Sequence, residues 1–223
     1  HGAPVSSRRL SITTRMTLQA TAFLVVSATL IIALLEWRGF LAGMPTSVKC
    51  LNAFFSGVTP RTAGFNSVDY AEAHPITLMV TDIYMFIGGG SAGTAGGIKV
   101  TTATVLLAAM LAEFKGRDAT TVGHRTVPKG VVRQAMTVAA AGLVAVTAGV
   151  ATLRICDPQF TADQVNFEVI SAFATTGLST GITADLSSPS QLALCLLMYL
   201  GRIGPFTLCL LYTSPSPRDQ RGS

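Results

Sequence analysis

Two stretches, Met16 to Leu35 and Gln134 to Leu153, run for twenty residues each without a charged side chain. A helix rises about 1.5 Å per residue, so each is long enough to cross a hydrocarbon core about 30 Å thick and predicts a spanning helix. A shorter apolar segment follows each one, Thr46 to Thr59 in the first case and Val165 to Ala174 in the second. The first of these covers roughly 21 Å as a helix, too little to cross, so it must turn back. Both run into a Thr-x-Gly element: Thr59-Pro60-Arg61-Thr62-Ala63-Gly64-Phe65-Asn66-Ser67, and Ala174-Thr175-Thr176-Gly177-Leu178-Ser179. An apolar return follows in both. Ile76 to Ile87 runs behind Pro75, and Leu178 to Pro189 leads into a last span from Leu192 to Tyr212. Gly64 and Gly177 therefore occupy matching places in two units of span, half-helix, loop and span.

Irregular backbone at membrane depth is tolerated only where it is buried in protein or lines a water-filled cavity, because lipid cannot hydrogen-bond its amides. A half-helix entering from one side aims its partly negative C-terminal end at the membrane centre, which favours a cation there. Glycine at positive φ lets successive carbonyl oxygens line an axis and replace an ion's water shell. Neither loop contains Asp or Glu, so carbonyls rather than carboxylates would coordinate. This is the layout of a pore.

The first return helix then breaks. The ten residues from Gly88 to Gly97 hold six glycines, Gly88, Gly89, Gly90, Gly93, Gly96 and Gly97, too many at about 1 kcal/mol each for a stable helix. Ile98 to Leu111 resumes the apolar helical pattern. Gly88, Gly90 and Gly93 satisfy G-x-G-x-x-G literally, and Gly93 to Lys99 loosely imitates a phosphate loop. Both fail on context, since no strand precedes them and no βαβ unit follows. No nucleotide site is expected here.

Composition confirms the class. Of 223 residues 49% are hydrophobic and 12% charged, and the mean hydropathy is +0.52, well off the soluble norm of about 25% charged. The net charge of +5 brings no basic stripe with interleaved aromatics, so nucleic acid is not an expected partner. Its distribution reports topology instead. Eight Lys and Arg residues lie ahead of the first span (Arg8, Arg9, Arg15) or in the connector Lys115 to Arg133, against three (Arg38, Lys49, Arg154) on the opposite side. The excess of positive charge places the first group in the cytoplasm. Glu36, Asp69, Glu72, Asp157, Asp163 and Asp185 remain outside, as a field that would gather cations at the mouth. Cys50, Cys156, Cys195 and Cys209 form no C-x-x-C pair and read as isolated apolar fillers, with a Cys50–Cys156 disulfide weakly supported. No His, Cys or paired-carboxylate cluster suggests an enzyme, and no catalytic residues are expected. The chain begins at His1 without a signal peptide and reads as a fragment.

Four motifs carry a resemblance: VTPRTAGFNSVD, FIGGGSAGTAGGIKVTT, SAFATTGLSTGIT and YLGRIGPFTL, in that order. Together they resemble the third and fourth repeats of the Trk/Ktr/HKT superfamily of potassium transporters, closest to the bacterial Trk and Ktr membrane subunits, over about residues 10 to 212. The resemblance implies an all-α membrane protein with re-entrant pore helices and selectivity-filter loops. Residues 1–15 would be a cytoplasmic segment, 16–113 the third membrane-pore-membrane repeat, 114–133 a cytoplasmic connector and 134–212 the fourth repeat. The Pro/Ser/Arg-rich tail 213–223 departs from the family and reads as non-native. Two N-terminal repeats are missing from the four that the family arranges around one pore.

The resemblance also implies roles. Carbonyls of Thr62, Ala63, Gly64 and Phe65, and of Thr175, Thr176, Gly177 and Leu178, would line the ion path. K+ would be held by those of Thr62, Ala63, Gly64, Thr175, Thr176 and Gly177, as transported ion and not as cofactor. The glycine stretch would be an intramembrane gating loop below the filter. Arg202, in mid-span where a charge costs about 2.5 to 3.5 kcal/mol, would hydrogen-bond that loop's carbonyls, the alternative being a pair with an acid such as Asp82. Arg61 pairs with Asp82 or Glu168, or Asp82 with Glu168; the sequence leaves this open. Lys99 reads as an interfacial anchor, and His74 and His124 as solvated loop residues. Expected partners are membrane lipid, a second copy of the full protein and a cytosolic nucleotide-binding regulatory subunit, perched on the connector in a bacterial inner membrane. The alternatives are a Na+-permeable or Na+-coupled member of the superfamily and a broken-helix secondary transporter for a small solute.

Overall fold

The computed structural model describes residues 12–89, 96–116, 121–122 and 125–213. Among them are seven helices: α1 (Ile12–Glu36), α2 (Thr46–Val58), α3 (Pro75–Phe86), α4 (Val100–Phe114), α5 (Lys129–Cys156), α6 (Ala162–Phe173) and α7 (Ser188–Thr213). A two-residue hairpin, β1 (Thr121–Val122) with β2 (Arg125–Thr126), lies in the connector. The helical plan therefore stands as expected. Two helix starts move: α1 begins at Ile12 rather than Met16, and α5 begins at Lys129, behind Pro128, and so takes in Lys129 and Arg133. Both residues are exposed, and a long stem can lie along a helix end while its charge reaches water, so a polar start did not prevent the helix.

Within 12–36 and 129–156, Thr17–Glu36 and Lys129–Cys156 are long and apolar enough to cross a membrane. Large apolar side chains point outward on both, including Phe23, Leu30 and Leu34 on α1 and Leu143 and Val144 on α5. Such outward faces are what lipid, not water, would solvate.

The two units repeat in detail. The same 113 positions separate Thr62 from Thr175, Gly64 from Gly177, and Pro75 at the head of α3 from Ser188 at the head of α7. Each unit closes with an acid at the end of its first span that caps its second. Glu36 accepts from the His74 amide at 2.9 Å, the Phe40 amide at 3.2 Å and the Thr77 hydroxyl. Asp157 accepts from the Ser187 hydroxyl at 2.8 Å and from its amide at 3.1 Å. A carboxylate on the exposed amides of a helix N-terminus satisfies orphan donors and opposes the helix dipole. This corrects the expected outer field of six acids. Glu36 and Asp157 are 1% and 3% exposed and act as clamps, leaving Asp69, Glu72, Asp163 and Asp185 at the surface. His74 likewise is more than a solvated loop residue, since its Nδ1 accepts from the Ile76 amide at 3.2 Å to cap α3. His124 lies outside the described residues.

The core is asymmetric. Helix α6 packs against α3, α5 and α7, whereas α2 packs on α1. One apolar cluster, Val146, Leu153, Val165, Val169, Phe173, Leu194 and Leu197, belongs to the second unit. Another joins the units around Tyr70 and Phe167, whose ring centroids are 5.3 Å apart. Cys50, Cys156 and Cys195 are free, as isolated cysteines would be, but exposed rather than filling the core. Cys50 rides on α2 and Cys156 ends α5, and those helices pack on different neighbours.

Candidate functional site

The helix α2 ends at Val58 and α6 at Phe173, and each hands over to its Thr-x-Gly loop within a few residues. Hydrogen bonds from the loop back to the helix direct the exit. The Ala63 amide donates to the Thr59 carbonyl at 3.1 Å, and the Thr176 amide to the Ser171 carbonyl at 2.9 Å. The backbone then takes the same path twice. Thr62 and Gly64 sit at φ 69° and 72°, Thr175 and Gly177 at 52° and 91°. Thr62 and Thr175 are the non-glycine residues of positive φ among the described residues. A left-handed conformation costs an L-residue about 1–2 kcal/mol, so the surrounding packing holds both loops in a strained shape, as happens at functional sites.

The two loops touch. A Cβ on Gly64 would lie 2.3 Å from the Thr176 carbonyl oxygen, and one on Gly177 would lie 3.6 Å from the Gly64 Cα. Only glycine fits at 64, for its φ and for this approach. The hydroxyls of Thr62 and Thr176 are buried without a hydrogen-bond partner. Phe65 is 72% exposed and Ala63 is exposed, whereas Thr176 and Leu178 are buried.

The described ends of the glycine stretch lie against these loops. Its two arms are joined by the Gly88 amide on the Ile98 carbonyl at 2.8 Å, the Ile98 amide on the Phe86 carbonyl at 3.2 Å and the Val100 amide on the Gly89 carbonyl at 3.2 Å. The Gly96 amide donates to Thr175 Oγ1 at 3.1 Å. A Cβ on Gly96 would meet that same hydroxyl at 2.6 Å and the Ala174 carbonyl oxygen at 3.0 Å. On the other side Arg61 Nη1 donates to the carbonyls of Ile87 at 3.4 Å and Gly88 at 3.3 Å. Each Thr-x-Gly loop is thus tied to one arm of the glycine stretch. Gly90 and Gly93 lie outside the described residues.

This settles the partners that the sequence left open. Arg61 serves backbone carbonyls, and Asp82 Oδ1 is buried with no hydrogen-bond partner. Glu168, only 4% exposed, accepts from Ser179, Thr180 and Thr183. Arg202 is exposed on α7 beside the buried Gly201. From the sequence Glu168 was weighed only as a partner for Arg61 or Asp82. The signal that would have found its role is the hydroxyl run Ser179, Thr180 and Thr183 directly after the second loop. Among the described residues no group of three or more His, Cys, Asp or Glu could hold a metal ion.

A family model described as "TrkH: Cation transport protein" matches residues 10–221. The chain belongs to this cation transport family. It is 36% identical over 216 residues to the Ktr system potassium uptake protein B of Bacillus subtilis, covering 96% of this chain and 48% of that one. It is 35% identical over 205 residues to the potassium/sodium uptake protein NtpJ of Enterococcus hirae, covering 90% and 46%. The crystal structure of the potassium transporter TrkH from Vibrio parahaemolyticus superimposes with a TM-score of 0.73 at 21% identity, over 89% of this chain and 44% of that one. This TrkH-family chain thus has the helical membrane fold expected, and it spans about half the length of the curated relatives it matches. Its family is one of cation transport proteins.

Proposed function

We propose that the chain supplies two of the repeats that surround a K+ pathway, with the Thr-x-Gly loops as its selectivity filter. The observation that carries this reading is the paired backbone path at Thr62–Gly64 and Thr175–Gly177, with the two loops in contact at Gly64 and Thr176. Neither loop itself carries Asp or Glu, so the carbonyls of Thr62, Ala63, Gly64, Phe65, Thr175, Thr176, Gly177 and Leu178 would face the ion. The names of relatives that take up potassium support the choice of ion. In this reading α2 and α6 are re-entrant half-helices, 16–113 and 134–212 are two membrane-pore-membrane repeats, and 114–133 faces the cytoplasm. An inside-negative potential would drive entry by about 2.3 kcal/mol per charge per 100 mV.

The glycine stretch, pinned to Thr175 through Gly96 and to Arg61 through Gly88, is proposed as a gate beneath the filter. Gly88, Gly89, Gly90, Gly93, Gly96 and Gly97 let it rearrange at small steric cost, and Arg202 would hold a positive barrier in the path. The full protein would form a homodimer in a bacterial inner membrane and bind a cytosolic nucleotide-binding subunit through the basic connector.

The deciding experiment is ion flux through the full-length protein in proteoliposomes. Gly177→Ser should loosen discrimination between K+ and Na+, and an unchanged preference would count against the filter. Shortening the 88–97 loop, or Arg202→Ala, should raise flux. A second reading, Na+ permeation beside K+, is favoured by the name of the potassium/sodium relative. It predicts comparable K+ and Na+ flux before any substitution.

A further inference from the structure

The two filter loops are braced by different chemistry. After the first, Thr59 Oγ1 donates to the Phe65 carbonyl at 3.2 Å. After the second, a buried carboxylate gathers the chain. Glu168 Oε1 accepts from the Ser179 hydroxyl at 2.5 Å and from the Thr180 amide at 3.0 Å and hydroxyl at 3.4 Å, and Oε2 accepts from the Thr183 hydroxyl at 2.9 Å. Ser179 Oγ in turn lies 2.9 Å from Thr183 Oγ1 and accepts from the Gly181 amide at 2.8 Å, where the chain turns at φ 91°. The offset of 113 positions that aligns the repeats places Phe55 where Glu168 stands, Asn66 at Ser179 and Tyr70 at Thr183. The first unit has no counterpart of this carboxylate.

A carboxylate at 4% exposure is costly unless its lone pairs are filled, and here neutral donors from Ser179, Thr180 and Thr183 fill them. Hydrogen bonds to an ionised acceptor are about twice as strong as neutral ones. Ser179 lies two residues beyond Gly177, so the network fixes the direction in which the second loop leaves its glycine. We propose that Glu168 is a positioning residue that sets the ion preference of the second loop by holding Ser179 to Thr183 against α6. This rests on the filter reading given above. It assigns discrimination unequally, the second loop being the stiff reader and the first the more yielding one.

The test is the ratio of K+ to Na+ flux through the full-length transporter in proteoliposomes, a ratio independent of how much protein inserts. Glu168→Gln keeps the shape but places an NH2 group among donors. It should lower the ratio about tenfold, the loss expected when a charge-assisted network is broken. Glu168→Asp, which keeps the charge, should restore most of it. Should Glu168→Gln fail to insert, the double variant Ser179→Ala, Thr183→Val approaches the network from its other end and should lower the ratio about threefold. An unchanged ratio in Glu168→Gln, or in the double variant where that is the one that inserts, overturns the proposal. Gly177→Ser is measured beside them. If it lowers the ratio while the Glu168 network does not, this inference alone fails; if neither moves it, the filter reading fails as well.

Discussion

The two repeats follow one backbone plan but stand in opposite environments. Helix α6 is enclosed by α3, α5 and α7 and buries Val165, Phe167, Glu168, Val169, Ser171, Ala172 and Phe173. Helix α2 leans on α1 and leaves Val48 39%, Leu51 67%, Phe54 53% and Phe55 37% exposed. The difference has a simple origin. The second helix of the first unit, α3, covers the short helix α6 of the second, and among the described residues no helix plays that part for α2. The bare face of α2 is where an outgoing helix of a preceding unit would lie if four units closed a ring. What the comparison teaches is that matching helices of the two units differ in their covering, because α6 is packed in part by α3 of the other unit.

Several substitutions can break or sharpen that contrast. The largest effect should come from Gly64→Ala. It sets a Cβ 2.3 Å from the Thr176 carbonyl oxygen at φ 72°, whereas Gly177→Ala meets only an ordinary contact at 3.6 Å. Gly64→Ala should abolish K+ uptake in cells, and Gly177→Ala should leave part of it, since only the backbone strain of about 1–2 kcal/mol remains. Equal losses would mean that the loops are not in contact. Next, Phe167→Ala removes a fully buried ring that joins the two units and should cost about 3–5 kcal/mol, read as a fall in the thermal midpoint of the full-length protein. Leu51→Ala on the bare face costs about 2–5 kcal/mol there if a preceding unit covers α2, and under about 0.5 kcal/mol if lipid does.

The clamps offer a smaller test. Glu36→Gln weakens three hydrogen bonds at a buried site and should cost about 1–3 kcal/mol. At the matching clamp the Ser190 hydroxyl, opposed by some desolvation and helped by Ser187 and Gln159, holds the Asp157 carboxyl below the usual carboxylate range. A lowered folded-state value gives stability that is present above the unfolded value of about 3.9 and is lost as pH falls through the folded one. Thermal stability should therefore decline as pH drops below about 4, and Asp157→Asn should flatten that decline. A slope unchanged in the variant would show that Asp157 is not the titrating clamp.

The long helices, the short ones between them and the glycine break were legible because each is a local property. Twenty uncharged residues fill a bilayer, a dozen do not, and six glycines in ten do not hold a helix. The likeness of the two Thr-x-Gly elements was legible as well, since spacing alone aligns them. The fates of single charged residues were not. Glu36 and Asp157 look like surface acids beside Asp69 and Asp185, and only the approach of His74, Thr77 and Ser187 from some 30 to 40 residues away turns them inward. Glu168 shows the same limit, because its donors are recruited by the return of the chain after Gly177.

The order and kind of the helices, their lengths against the bilayer and the twofold repeat were determined by the sequence alone, because hydrophobic run length and glycine content act within a single segment. The contact of Gly64 with Thr176, the pinning of the glycine stretch to Arg61 and Thr175, and the different bracing of the two loops were decided only by tertiary structure. Each of these depends on which helices stand side by side, and a hydrogen bond a few ångströms long leaves no trace in a periodicity.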